Sequence, residues 1–528
     1  MDNYFVSSCK RVKDWICRQF GQKEKKTVHH KKFADGGEVI VWETGRAGEE
    51  AASYENLFLR KEIAGFRTNI RREQSCSIKS LTRDYLYKQL LSSGEYTFDH
   101  MLVIKDPYGE APLTALALFI LEEPACVRVT TKGNLKETDF VTELPKKKEH
   151  RVPILGMYAE KANDIVIEIL DDEGNCVKSH TFTIRTKRLP KSLRNVITVK
   201  KWTDKPAYSN IMINGGVKIH TCVFDIEGKI RYYLSRKPRG YGIFPLSDGH
   251  FFYMEKYISV PSYSNPQTVE SYDMDYFGRV FRTYLTEKGV HHTAEEKAGG
   301  NILTGSNSML EHTEDCVIEI DRQTGEIVWQ LNMAEIFDET YQNMMDWCHV
   351  NSAAYYEKDR TILISLRNVH AVICVDYDTK KLRWILSDPK FWEGTKMTPY
   401  LLQPEGDVKW CYQQHAAFEI ALPDESNPQK KRIIVYDNHW AKRRKAKSFD
   451  KDPLSYVSFY DIDEEKKTVS LHKRFAGPKT RIRANGIYVP DKRRVYNMAG
   501  SYAEPVDGDG GGIFEYDYET GEVLSEFG

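Results

Sequence analysis

From about residue 195 onward one pattern of apolar and polar positions recurs. An apolar strand runs into an acidic turn, and a second strand then carries aromatic or large aliphatic residues. The copies begin Phe224-Asp-Ile-Glu-Gly, Met274-Asp-Tyr-Phe-Gly, Ile320-Asp-Arg-Gln-Thr-Gly, Val375-Asp-Tyr-Asp-Thr, Tyr460-Asp-Ile-Asp and Tyr516-Asp-Tyr-Glu-Thr-Gly. Their aspartates, Asp225, Asp275, Asp321, Asp376, Asp461 and Asp517, are spaced by 50, 46, 55, 85 and 56 residues. Six copies of about 50 residues predict a β-propeller with four strands per blade. The strand ahead of each aspartate is expected to be the innermost one, with its entry loop at one mouth of the central channel. The long fourth spacing reads as a loop insertion at 387–429.

Upstream the period changes. Between about 95 and 188 short runs alternate apolar and polar residues, as in Val127-Arg-Val-Thr-Thr, and are separated by turns such as Asp171-Asp-Glu-Gly-Asn. That predicts a small antiparallel β-sandwich. Residues 1–92 are charged and carry approximate helical stripes, at Tyr54, Leu57, Phe58 and Ile63 and again at Leu81, Tyr85, Leu86 and Leu90. The expected organisation is therefore an all-β protein with a partly helical arm at 1–92, a β-sandwich at 93–190 and a six-bladed propeller at 191–528.

Charge narrows the partners. Lys+Arg and Asp+Glu balance at 76 each, which gives no electrostatic case for a nucleic acid or a membrane surface. The basic run at 441–447 reads as a solvated loop. The tail at 507–512, Asp-Gly-Asp-Gly-Gly-Gly, lacks the Lys-Ser/Thr of a phosphate loop and reads as a flexible hairpin. The ten cysteines show no CxxC spacing, as expected of buried reduced thiols. No secretory signal stands at the N-terminus, and no apolar run approaches the roughly 20 residues that span a bilayer. A soluble cytoplasmic protein is the expectation.

Three histidines, His292, His349 and His415, each open one copy of the repeat, ahead of the apolar strands that begin at Ile302, Ile362 and Ile433. Equivalent positions in a closed repeat converge on its axis, so three imidazoles are expected at one channel mouth. Of the adjacent pair His291 and His292, only one is expected to face the channel, and the spacing favours His292. Imidazole serves as nucleophile or as general acid and base near neutral pH. Arg367, at the end of the strand after His349, adds a permanently charged planar fork suited to a tetrahedral oxyanion. Three histidines can also hold zinc, but no H-E-x-x-H pattern and no cysteine joins them, so no metal and no cofactor is assigned.

These residues bring out a resemblance. Asp106-Pro-Tyr-Gly-Glu-Ala-Pro-Leu, Asp346-Trp-Cys-His-Val-Asn-Ser, Ser365-Leu-Arg, Gln414-His and Val435-Tyr-Asp-Asn together resemble the bacterial aryl-sulfate sulfotransferases over roughly 95–528. That family moves a sulfuryl group between phenols without the nucleotide donor PAPS, on a six-bladed propeller with an N-terminal β-sandwich. The resemblance implies His415 as the residue transiently sulfated, with His292, His349 and Arg367 completing the site. It implies a ping-pong reaction with an aryl sulfate donor and a phenol acceptor, and it leaves room for a homodimer. Three features depart from the family pattern: His439-Trp-Ala-Lys in place of a glycine-rich loop, Asn368-Val after Arg367, and no export signal where relatives are periplasmic. The alternatives are a non-catalytic propeller that binds or assembles, and a metal-dependent hydrolase or lyase.

Overall fold

The structure, a computed structural model, describes residues 28–33, 37–52, 54, 76–203, 206–214, 219–236, 242–258, 267–308, 312–342, 344–422, 427–440, 452–502 and 510–528. The apolar stripe at 57–63, the basic run at 441–447 and residues 507–509 of the tail loop lie outside the described residues. The chain divides into two units: Met1–Gly133 with Asp139–Met157 and Lys161–Thr186, and Asn134–Thr138 with Tyr158–Glu160 and Lys187–Gly528.

In the first unit seven strands share one sheet, and two of them, Val28–Lys32 and Glu38–Trp42, come from the segment read as an arm. The long strand Ala115–Thr131 organises it. Its first half pairs with His100–Lys105 and its second half with Ala162–Leu170. The ladder to Phe140–Ile154 breaks between Ile120 and Ala125, around Pro124, which has no amide hydrogen to donate. The half-sheets are joined by aromatic packing: the His180 ring stacks on Phe33 at 3.9 Å and on Phe98 at 4.6 Å. The helix Cys76–Ser92 buries Leu86 of the expected stripe, together with Ile78, Tyr87 and Leu91, while Leu81, Tyr85 and Leu90 are half-buried.

The second unit is a β-propeller. Its described strands form five sheets, antiparallel but for the short Gln403–Pro404 strand beside Thr468–Pro478, and the six copies fall on them because Val280–Glu296 joins two copies into a seven-stranded sheet. The apolar runs lack alternation because both faces of a sheet are covered. Ile362 and Ile364 point into one buried cluster with Leu303 and Trp347, while Leu363 between them packs with Trp384 and Ile433 on the other side. Val199–Lys201 pairs with the final strand Val523–Phe527, so the start of the unit completes its last sheet. All eight described cysteines are free thiols. Among the described residues no helix is long and apolar enough to cross a membrane.

Three expectations are corrected. Where four strands of a copy are described, the acidic turn joins the third and fourth. It is the first strands of the copies, Val280–Glu296, Val350–Tyr356, His415–Ile420 and Ala484–Val489, that pack on one another from copy to copy, with His292 in, His349 just before and His415 at the start of three of them. Asp275, for example, takes the amides of Phe277 and Arg279 between Gln267–Met274 and Val280–Glu296. In the fifth copy Asp461 lies within a strand and pairs with Arg432, and Asp463 caps the turn through the Lys466 amide. The insertion at 387–429 is no simple loop. It packs Trp392 and Leu402 into the core and contains the strand His415–Ile420.

Candidate functional site

The histidines reach one end of the sheets by a shared backbone device. Each opening strand slips register near its histidine: between His291 and Ala294, between Val350 and Ser352, and between His415 and Phe418. A left-handed residue stands at or beside each break, His292 at φ 58°, His349 at φ 57° and Ala416 at φ 50°. Non-glycine residues held there cost on the order of 1 kcal/mol each, and such strain gathers at functional sites. His370, Gln413 and His439, at the same end, are left-handed too. The three histidines thus converge without occupying one strand register. His349 precedes its strand, His415 is the first residue of its own, and His292 sits inside its bulge.

His415 is buried, and its Nδ1 lies 2.6 Å from Asn438 Oδ1. Asn438 Nδ2 donates to Thr480 Oγ1 at 2.9 Å, the orientation in which its oxygen faces the imidazole. An oxygen only accepts, so Nδ1 carries the proton and Nε2 keeps its lone pair. Burial first, then the Arg367 guanidinium and His349, push the His415 pKa down to about 3. Arg367 opens a short turn, Arg367–Val369, whose backbone amides at Arg367 and Asn368 donate to His349 O and Cys348 O. Its Nη2 donates to Gln413 Oε1 at 3.0 Å. Gln414 Nε2 donates to Leu366 O and Ala371 O, so the two glutamines ahead of the histidine clasp the turn that carries the arginine.

His349 has the opposite surroundings. Its Nδ1 lies 2.6 Å from Glu314 Oε2 and 2.9 Å from Asp346 Oδ2. Burial opposes charge on this ring, but Glu314 and Asp346 outweigh it and raise the pKa to about 9. His292 stacks edge-on against His349 with ring centroids 4.8 Å apart, and its Nδ1 is 3.8 Å from Glu314 Oε1. Burial holds His292 well below the ordinary histidine range, against the pull of Glu314. Glu314 itself stays ionised despite burial, held by His349 and His292.

All four residues singled out by sequence therefore lie at one end of the propeller. Glu314, Asp346, Asn438 and Gln413 were not singled out. Asp346 and Asn438 stand inside motifs that carried the resemblance, whereas nothing in the sequence marks Glu314. His291 is fully buried with its Nε2 on Ser306 O, and the bulge brings its Nδ1 to 3.1 Å from His292 Nδ1. Among the described residues two groups have ligand atoms close enough to hold a metal ion, His291, His292 and Glu314, and Glu314, Asp346 and His349.

Residues 195–527 match the family described as Arylsulfotransferase (ASST), and residues 102–187 match the Arylsulfotransferase Ig-like domain. The chain belongs to the arylsulfotransferase family. Membership makes it an aryl-sulfate sulfotransferase by class. Among arylsulfotransferases it is similar to the arylsulfate sulfotransferase AssT of Escherichia coli, 23% identical over 80% of this chain and 89% of that protein. It is similar also to AssT of Lelliottia amnigena, 21% identical over the same shares. Solved structures with a distant likeness include an auxiliary nutrient binding protein from Bacteroides thetaiotaomicron, 12% identical with a TM-score of 0.34 over 79% of this chain and 94% of that one. A periplasmic gluconolactonase from Pseudomonas aeruginosa is 12% identical with a TM-score of 0.34, over 76% of this chain and 94% of that one.

Proposed function

We propose that this arylsulfotransferase moves a sulfuryl group from an aryl sulfate to a phenol in two steps through His415, without a nucleotide donor. The observation that carries this reading is the bond from His415 Nδ1 to Asn438 Oδ1, which leaves Nε2 as a neutral nucleophile beside a fixed guanidinium. In the first step Nε2 attacks sulfur, the N–S bond forms and the bond from sulfur to the phenolic oxygen breaks. His349, held as an imidazolium by two carboxylates, gives its proton to the departing phenolate. Arg367 bears the charge on the sulfuryl oxygens, with the His292 ring beside it. In the second step His349 takes the proton of the incoming phenol, whose oxygen attacks sulfur, and the N–S bond breaks.

Loss of the nucleophile in such a site lowers the rate by several orders of magnitude. His415→Ala, with its circular dichroism unchanged, is expected to transfer almost nothing from 4-nitrophenyl sulfate to phenol. Quenched intact-mass analysis of the wild type with donor alone should show one added sulfuryl group, mapped to the His415 peptide. Near-normal turnover of the variant, or no adduct at any pH, removes this reading.

A further inference from the structure

We infer that His291, His292 and Glu314 form a binding site for one divalent cation of the zinc type, set behind the sulfuryl pocket. The inference rests on the transferase reading only for the part His292 plays toward substrate. One ligand atom from each of the three residues lies within 4.8 Å of the others. His291 and Glu314 are fully buried, and two imidazoles with one carboxylate is a donor set that zinc takes in catalytic proteins.

The protonation of the rings follows from their partners. His291 Nε2 lies 2.8 Å from Ser306 O. A carbonyl only accepts, so Nε2 carries the proton and Nδ1 presents a lone pair toward His292. A metal-ligating histidine commonly donates its remote N–H to a backbone carbonyl in this way, which fixes tautomer and ring together. The ring is fixed sterically as well: a Cβ on Gly305 would come within 2.6 Å of His291 Cε1, so only glycine permits this seat. The bulge and the positive φ of His292 then bring a second Nδ1 to 3.1 Å from the first, with the ring planes at 82°. Two ligands of one tetrahedral ion stand at a comparable separation. Adjacent residues of a regular strand point to opposite faces, so the bulge is what makes the pair.

The neighbouring trio of Glu314, Asp346 and His349 is different. There two carboxylates crowd a single ring nitrogen, the geometry of a protonated imidazole in an ion pair. The cation therefore belongs with His291 and His292, and Glu314 bridges it to His349. A cation on His292 Nδ1 leaves Nε2–H to donate toward the sulfuryl oxygens and makes it a stronger donor. It also locks the His292 ring.

The test uses full-length protein stripped with a chelator and titrated with Zn2+ alone, followed by calorimetry and elemental analysis after dialysis. Cobalt(II) in its place should give the intense visible bands of a four-coordinate site. The expected result is one ion per chain. His291→Gln keeps an N–H for Ser306 and removes the ligand; Glu314→Gln keeps the shape and removes the anion. Each should weaken binding by more than the roughly 10–100-fold that loss of an outer partner costs. Absence of a retained ion in the wild type, or equal binding in both variants, overturns the inference. The His415 adduct is scored separately on the same samples. An adduct formed in metal-free protein that binds no zinc leaves the transferase reading standing without this one, and zinc retained without an adduct does the reverse.

Discussion

His415 and His349 lie at the same end of the same propeller, are buried to a similar degree, and differ in their polar neighbours. His415 faces the amide oxygen of Asn438, and His349 faces the carboxylates of Glu314 and Asp346. Burial alone pushes both imidazoles toward neutrality. It succeeds at His415, aided by Arg367, and fails at His349, where two negative charges more than offset it. In the proposed reaction the uncharged oxygen partner suits His415 to be the nucleophile, and the two carboxylates suit His349 to be the acid. Two catalytic roles can thus be drawn from one residue type by swapping amide for carboxylate across a few ångströms.

The contrast can be broken outright at His415, where alanine should lower transfer by several orders of magnitude. The opposite corner should matter less and in a telling manner. His349→Gln, or Asp346→Asn at the carboxylate that shares its proton, is expected to lower transfer by about 10²–10⁴-fold, the range of a lost general acid. The loss should be greatest with phenyl sulfate and smallest with 4-nitrophenyl sulfate, whose leaving group needs no proton; an equal loss with both donors contradicts the assignment.

Asn438→Asp tests the rule itself, because it gives His415 the kind of neighbour that His349 has. A carboxylate there should raise the His415 pKa by about 1–3 units from its low value. Activity should then be lost at a correspondingly higher pH on acidification and be little changed at pH 8. A pH–rate profile unmoved on its acid side would contradict the tautomer argued for His415.

The smallest effect is thermodynamic. His415 binds its proton near pH 3 when folded and near 6.5 when unfolded. Between those values the unfolded chain holds the extra proton, so stability falls as pH drops from about 6.5, by up to about 1.4 kcal/mol per pH unit for one proton. Above 6.5 the term is absent. Denaturant unfolding of His415→Asn should show a shallower acid slope than the wild type, and parallel slopes would refute the depressed pKa.

Much of the fold was readable because its signals are local. Apolar runs and acidic turns repeat within each copy, and His292, His349, His415 and Arg367 could be picked out by their place in it. What escaped is non-local. Glu314 reaches His349 across 35 positions, from a loop between strands with no periodicity to betray it. Asp461 was taken for a turn residue because Asp463 follows it at a distance that either could fill, and only strand pairing decides between them. The contact between the His291 and His292 rings was hidden by strand alternation, which a bulge cancels. Trp392 and Leu402 looked like loop residues because their apolar partners belong to two different sheets.

The pairing of Val199–Lys201 with Val523–Phe527 sets an order on biosynthesis. The first strand of the C-terminal unit has no ladder partner until residues 523–527 have been made. Earlier sheets can pack on one another as they emerge, but this sheet is completed only once that distant segment is available. Contacts of such long sequence separation fold slowly. Until then the newborn chain carries an open edge at each end, and that interval is when it is most exposed to misassembly.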